Sequence, residues 1–196
     1  YWCLGMLQTK RHGFSNIIGH ATGVENLTSL SDWSAKTLMR TLNWDDLSWI
    51  IKRWDGKVIL KGIQDVEDAK MAVKTGADAI IVSNHGGRQL DGALSSIRSL
   101  PSIIEAVGNQ IEVWMDGGIR SGQDVAKAVS LGAKGVMIGR PYIYGLGAMG
   151  QKGVSKALEV IHKELDTTMA LCGERNITNM TRENLLIPKG FSGNWE

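Results

Sequence analysis

The sequence predicts an α/β protein that forms the C-terminal half, strands five to eight, of a (β/α)8 TIM barrel. From about residue 56 onward, short β-branched runs alternate with helical patterns, as in a parallel sheet built from βα units. The Ala-Val and Gly-Ala pairs within Ala72–Ala77 recur within Ala128–Ala133, which indicates a duplicated unit. With 196 residues, the chain is shorter than the roughly 250 residues that a complete barrel usually needs.

Helical patterns separate the predicted strands. The four predicted strands are Lys57–Gly62, Ala79–Asn84, Glu112–Asp116 and Gly135–Gly139. A helix near Asp65–Thr75 follows the first strand and ends at Gly76, which can adopt the left-handed conformation of a helix C-cap. Pro101 is expected at the first position of the next helix, and Ser121 is expected to cap the third. The last predicted helix carries an apolar stripe over residues 154–169 that packs on the outside of the sheet.

Residues 1–42 and 43–196 are predicted to form separate parts of the chain. The first part is rich in Gly, Ser, Asn and Thr and has weak periodicity, which indicates a long loop or excursion before the half-barrel. Asn43 is expected to cap a helix in which Leu47 and Ile50 share an apolar face. The sequence does not begin with Met, so we expect it to be a piece of a longer chain.

Composition and charge exclude several classes of protein. Hydrophobic residues make up 43% and charged residues 21% of the chain, which is typical of a folded domain. A formal net charge of +2 is too small to indicate nucleic acid as a partner. Cys3 and Cys172 form no CxxC pair and fit no zinc-ligand spacing, so we expect neither a disulfide scaffold nor a bound metal.

Polar residues follow the predicted strands, at the end of the sheet where α/β barrels place their chemistry. The first strand ends in Lys61, whose ammonium could stabilise negative charge on a ligand; a solvated or salt-bridged lysine is the alternative. The second strand leads into Ser83-Asn84-His85-Gly86-Gly87-Arg88-Gln89, which places a proton acceptor and a carboxylate-binding fork on one tight turn. A capped turn with a structural histidine is the alternative, and the strand context favours His85 and Arg88 as catalytic groups.

Two glycine-rich loops follow the third and fourth strands, and each contains an arginine. They are Asp116-Gly117-Gly118-Ile119-Arg120 and Gly139-Arg140-Pro141. TIM barrels often hold phosphate with the loops after strands seven and eight, near a helix N-terminus. The two loops are therefore predicted to bind a phosphate, and the four strands are assigned to barrel positions five to eight. Turns that only reverse the chain are the alternative.

The segment from Ser83 to Gln89 resembles the active-site signature of the FMN-dependent α-hydroxy-acid oxidases and dehydrogenases. Lys61-Gly62, the Asp116–Arg120 loop and Gly139-Arg140 are similar to that family in order and spacing, so the resemblance covers at least residues 43–187. Within the family, the chain resembles the bacterial L-lactate dehydrogenases most. The resemblance implies FMN as cofactor and oxidation of a small L-2-hydroxy acid, with L-lactate the first candidate, to the 2-oxo acid.

The resemblance also implies a role for each matched residue. His85 would be the base that acts on the 2-hydroxy acid, Arg88 would clamp its carboxylate, and Lys61 would lie at the N1/O2 edge of the flavin. Ser83 would contact the flavin ring, and Asp91 would support the loop. The residues implied to hold the FMN phosphate are Asp116, Gly117, Gly118, Ile119, Arg120, Gly139 and Arg140.

The first four strands of the family's barrel have no counterpart in this sequence. The resemblance implies that they supply a substrate-binding tyrosine, further flavin contacts and an aspartate that orients His85. We therefore expect a half-barrel whose unpaired edges associate with the missing N-terminal half or with a second copy, and little turnover by the chain alone. The full-length form is expected to be a homo-oligomer.

Two other functions fit the sequence. One is a non-catalytic FMN- or phosphate-binding half-barrel. The other is a different phosphate-binding barrel enzyme, similar to inosine-monophosphate dehydrogenase, although neither cysteine follows a predicted strand. The resemblance implies that residues 1–42 form a mobile active-site loop; the alternative is a peripheral membrane contact in which Lys10 and Arg11 accompany apolar residues. The final Asn194-Trp195-Glu196 is not a peroxisomal signal, so we predict a cytoplasmic or inner-membrane-associated location.

Overall fold

The computed structural model describes residues 2–9, 17, 20–24, 27–37 and 41–191. The chain divides into two compact units, Tyr1–Asn43 and Trp44–Glu196. Lys10, Arg11 and residues 192–196, for which the sequence suggested a membrane contact and a location, lie outside the described residues. Among the helices that are described, none combines the length and the apolar character needed to cross a bilayer.

The described part of the first unit contains two helices where the sequence predicted a long loop. They are α1 (Trp2–Thr9) and α2 (Leu27–Thr37). Leu30 and Trp33 are half-buried one turn apart on α2, among Ser and Thr residues. Two apolar positions in a polar segment give a weak periodic signal, which explains why this helix was missed.

The second unit is a parallel sheet with helices between its strands, which confirms the predicted α/β half-barrel. Its elements are α3 (Trp44–Arg53), β1 (Ile59–Ile63), α4 (Val66–Thr75), β2 (Ala79–Val82), α5 (Ser96–Val107), β3 (Glu112–Asp116), α6 (Gly122–Ser130), β4 (Gly135–Met137), α7 (Arg140–Met149), α8 (Gln151–Leu171) and two 3-10 turns (Ile177–Asn179 and Arg182–Asn184). The four strands pair side by side in the order β1-β2-β3-β4. Consecutive parallel pairing brings all four carboxyl ends to one edge of the sheet.

The core lies where the sheet meets its helices. All four residues of β2 are buried, as expected for a central strand of a parallel sheet. Leu100 and Ile103 of α5 are fully buried in the same cluster as Ile80 and Met115. This packing fixes the strand ends from which the polar loops emerge.

The repeated sequence pattern corresponds to a repeated helix ending. After α4, the N–H of Gly76 donates to Val73 and the N–H of Ala77 donates to Ala72. The residues 56 positions further along do the same after α6, because Gly132 and Ala133 donate to Val129 and Ala128. Both helices therefore end in a Schellman motif and enter the next strand in the same way.

Of four predicted helix starts, one was wrong. The structure begins α3 at Trp44, directly after Asn43 as predicted. Asp65 caps α4, and Ser121 caps α6 through a reciprocal bond with Asp124. Pro101 does not begin its helix, because α5 starts five residues earlier, at Ser96. Pro101 is instead buried inside α5, where packing against the core outweighs the backbone hydrogen bond that proline cannot make.

A surface ion pair ties together the beginnings of β1 and β2. Lys57 Nζ lies 2.6 Å from Asp78 Oδ1, while the Val58 N–H donates to Asp78 Oδ2 at 2.8 Å. The hydrogen bond from Lys57 holds the pKa of the Asp78 carboxyl below its usual value, and the same bond raises the pKa of Lys57. These contacts lie before the strands, away from the carboxyl edge.

Candidate functional site

The carboxyl ends of the strands open onto a cavity of about 270 Å³. It is lined by Lys61, His85, Gly86, Arg88, Asp116, Gly117, Gly118, Ile119, Arg120, Met137, Ile138, Gly139, Arg140, Pro141 and Ile143. The structure therefore brings together residues that the sequence placed after four separate strands. Their common position follows from the parallel order of the sheet.

Lys61 is held at the base of this cavity by two neighbouring strands. Its Nζ lies 2.8 Å from Asp116 Oδ2 and donates to Ser83 Oγ at 3.1 Å. The other carboxylate oxygen, Asp116 Oδ1, is buried and has no hydrogen-bond partner among the described residues.

The segment Ser83–Gln89, called the histidine loop, follows β2. Three consecutive residues in it, His85, Gly86 and Gly87, lie in the left-handed region, with φ values of 56°, 70° and 71°. This conformation is uncommon for a residue with a side chain, so His85 depends on its surroundings to keep it. The His85 N–H donates to Ser83 Oγ at 3.0 Å, the same oxygen that Lys61 contacts. Ser83 thus joins the ammonium and the histidine backbone at one atom.

Asn84 and Ser96 stabilise the histidine loop through hydrogen bonds. The Asn84 N–H donates to Ser96 Oγ at 3.1 Å, and Asn84 Oδ1 accepts from the Gly87 N–H at 3.2 Å. Gly117 of the neighbouring loop packs against both of them, because a Cβ at Gly117 would lie 3.0 Å from Ser96 Oγ and 3.2 Å from Asn84 Oδ1. The loops after β2 and β3 therefore pack tightly against each other.

Positive charge dominates the cavity. Lys61, Arg88, Arg120 and Arg140 line it, against the single carboxylate of Asp116. The three arginines are exposed, so their guanidinium groups are accessible to a ligand. Arg140 also donates from Nη2 to the Gly86 carbonyl at 3.2 Å, which links the last loop to the histidine loop. The cavity is suited to a ligand with more than one anionic group.

The start of α7, rather than the start of α6, is open to an anion. At α6, the N–H groups of Arg120 and Ser121 donate to Asp124, and the Gly122 N–H donates to Glu164 Oε2 of α8. At α7, the cap residue Gly139 has no side chain, and the first turn lines the cavity. The sequence predicted Arg140 to lie in a loop, whereas it is the first residue of this helix. A helix N-terminus without a capping side chain is suited to phosphate.

Two residues singled out in the sequence do not reach the cavity. Ser83 is only 1% exposed, and its hydroxyl oxygen accepts hydrogen bonds from Lys61 and the His85 backbone. The Asp91 carboxylate accepts a hydrogen bond from the N–H of Gly92 and does not line the cavity. The supporting roles of Ser96 and Glu164 were missed, because each joins residues distant in sequence. Asp124 could have been found, since Ser121 and Asp124 have the spacing of a capping box.

A family model described as FMN-dependent dehydrogenase matches residues 3–187. The chain belongs to the FMN-dependent dehydrogenase family. The match includes every residue that lines the cavity. The family resemblance inferred from the sequence is therefore confirmed.

Individual relatives agree with the family assignment. An L-lactate dehydrogenase of Azorhizobium caulinodans is 47% identical over 186 residues, which are 94% of this chain and 49% of that protein. An L-lactate dehydrogenase of Pseudomonas putida (strain GB-1) is 44% identical over 189 residues, 96% of this chain and 49% of that protein. A mandelate oxidase variant with a monooxide FMN adduct superimposes with a TM-score of 0.70 at 47% identity, over 72% of this chain and 45% of its own. The chain thus spans about half the length of the relatives it matches.

Proposed function

We propose that the protein to which this chain belongs binds FMN and oxidises a small L-2-hydroxy acid, with L-lactate the first candidate, to the 2-oxo acid. The observation that carries this proposal is the single cavity in which an imidazole, an ammonium and three guanidinium groups meet. The names of the L-lactate dehydrogenase relatives support the choice of substrate class.

The residues present fit FMN. The open N-terminus of α7, with Arg120 and Arg140 beside it, is suited to the phosphate group. Asp116 lines the cavity with a side chain that is 19% exposed, so its carboxylate can accept a hydrogen bond from a hydroxyl of the ribityl chain. Lys61 Nζ is fixed by Asp116 and Ser83, where its charge can act on the polar edge of a flavin ring.

In the proposed reaction, the side chains of this chain bind, orient and deprotonate the substrate. Arg88 binds the substrate carboxylate through its planar fork, which orients the carbon to be oxidised. His85 takes up one of the two protons that the hydroxy acid loses as it becomes the oxo acid. When bound, FMN would supply the acceptor for the two electrons and for the second proton. Lys61 stabilises the negative charge that develops beside it.

The missing half of the barrel is part of this proposal. Ile59 of β1 and Met137 of β4 are 54% and 42% exposed, although both belong to edge strands of the sheet. Apolar side chains on two unpaired edges indicate that further strands cover them in the complete protein. Assembly into a homo-oligomer and a cytoplasmic or inner-membrane-associated location remain predictions from the sequence.

The test uses a completed chain, in which this sequence follows the portion of the Azorhizobium caulinodans relative that it does not match. We expect the purified completed chain to retain FMN and to lose its yellow absorbance when L-lactate is added without oxygen. Glycolate and L-mandelate, tested in parallel, define the substrate range. Retention of FMN without bleaching by any 2-hydroxy acid would contradict the proposal and favour a non-catalytic FMN-binding barrel.

Arg120→Gln in the completed chain is expected to weaken FMN binding by about 10–100-fold, because one charge-assisted hydrogen bond to a phosphate contributes roughly 1.5–3 kcal/mol. Arg120 is a better target than Arg140, whose side chain also supports the histidine loop. The measurement is a fluorescence titration of the flavin-free protein with FMN. Arg175→Gln removes the same charge from an exposed residue outside the cavity and should leave affinity within about twofold; equal effects of the two changes would exclude a specific phosphate contact.

A further inference from the structure

Strand β1 is irregular at one residue, Gly62, directly after Lys61. The pairing of β1 with β2 shifts between Lys61 and Ile63, so Gly62 forms a bulge at the carboxyl end of the strand. Its φ of +100° lies in the left-handed region that glycine adopts without strain. The bulge lies next to the cavity, since Lys61 lines it.

The imidazole of His85 lies directly against this bulge. A Cβ placed on Gly62 would be 2.7 Å from His85 Cε1, 3.5 Å from Nε2 and 3.6 Å from Nδ1. The ring therefore occupies the space that a side chain at position 62 would need, beside the Gly62 backbone. Any side chain at this position would have to push the ring outward by roughly 0.7 Å to restore an ordinary contact of 3.4 Å.

His85 is therefore fixed at two points. Its backbone, held in the left-handed region, is anchored through Ser83 Oγ, while Gly62 sets how deeply its ring enters the site. The ring is otherwise exposed at the cavity, so little else limits its outward movement. A displacement of this size matters for proton transfer, because misplacement by about 1 Å can reduce a rate by about 10²-fold.

We propose that Gly62 is a positioning residue for His85: the bulge in β1 supplies the surface that sets the depth of the imidazole in the cavity. This inference rests on the proposed function, in which His85 takes up a substrate proton. Gly62 itself contacts neither proton nor substrate in this role. Its contribution is the absence of a side chain at the point where the ring packs.

Gly62→Ala in the completed chain is expected to reduce kcat for L-lactate by about 10–100-fold, with KM within about threefold and FMN affinity within about twofold. KM changes little because Arg88, rather than His85, holds the carboxylate. Gly92→Ala is the matched control, since Gly92 also has a positive φ, +77°, but no atom lies within 4 Å of the position of its Cβ. The control also places a side chain at a positive φ, and it should keep kcat within about twofold. Equal kcat values for the two variants would overturn the inference.

A double variant tests whether Gly62 acts through His85. If it does, Gly62→Ala should cause no further loss of kcat in a His85→Gln background. A further loss of about 10-fold, or release of FMN by Gly62→Ala alone, would show that the residue acts through the sheet or the flavin site instead.

One measurement requires neither turnover nor Gly62→Ala. In the completed chain with FMN bound, we expect a nuclear Overhauser effect between the Gly62 Hα protons and His85 Hε1, assigned by its loss in His85→Gln. Its absence would overturn the inference even if the enzyme is active. If the effect is present in a protein that oxidises no 2-hydroxy acid, the contact between Gly62 and His85 is confirmed and the proposed function is wrong.

Discussion

His85→Gln is expected to lower the turnover of L-lactate by the completed chain by about 10²–10⁴-fold, the range that general acid-base groups typically contribute. Glutamine is polar and of similar length, but it cannot take up a proton near neutral pH. The side chain lies exposed at the cavity and outside the core, so the change should not disturb the fold. FMN affinity should stay within about twofold, since the residues near the start of α7 are unchanged.

The matched control for this change is His162→Gln. His162 is an exposed residue of α8 that does not line the cavity. Both variants would be compared with the unchanged completed chain by anaerobic stopped-flow measurement of flavin bleaching. Turnover by His85→Gln within about tenfold of the unchanged protein would exclude His85 as the proton acceptor.

Sequence reasoning found the strand ends because one physical signal defines them. A buried parallel strand is a continuous apolar run, and the first polar residue after it marks the carboxyl edge. Lys61, His85, Asp116 and Arg140 were located because they lie at or just after these strand ends, and the parallel order of the sheet brought them together. The bounds of the strands were less accurate: β4 ends at Met137, two residues earlier than predicted, where the chain turns toward α7.

The missed features depend on contacts between residues far apart in sequence. Pro101 looked like a helix start because a proline inside a helix is costly, and only the buried position of that turn explains its tolerance. The hydrogen bond from Gly122 to Glu164 spans 42 residues and has no local pattern. The contact between Gly62 and His85 is of the same kind: the sequence shows a glycine after a strand, but not which ring rests on it.

The isolated 196-residue chain is expected to turn over L-lactate at least about 10²-fold more slowly than the completed chain, although it contains His85, Arg88 and Lys61. Groups that orient a substrate must be held to within fractions of an ångström, and here one wall of the site is open to solvent. The exposed Ile59 and Met137 on the sheet edges are where we expect that wall to attach. The missing half, supplied as a separate polypeptide, should restore FMN retention and turnover together.

Ile59→Asp separates assembly from folding in this experiment. Ile59 is already exposed in the isolated half, so a carboxylate there should leave the half folded but should block its association with an apolar partner surface. Leu171→Asp, at an 85% exposed position at the end of α8, is the control and should be complemented normally. Full turnover by the isolated chain would mean that the active site is complete without the other strands. Equal complementation of both variants would mean that Ile59 does not lie where the missing half attaches.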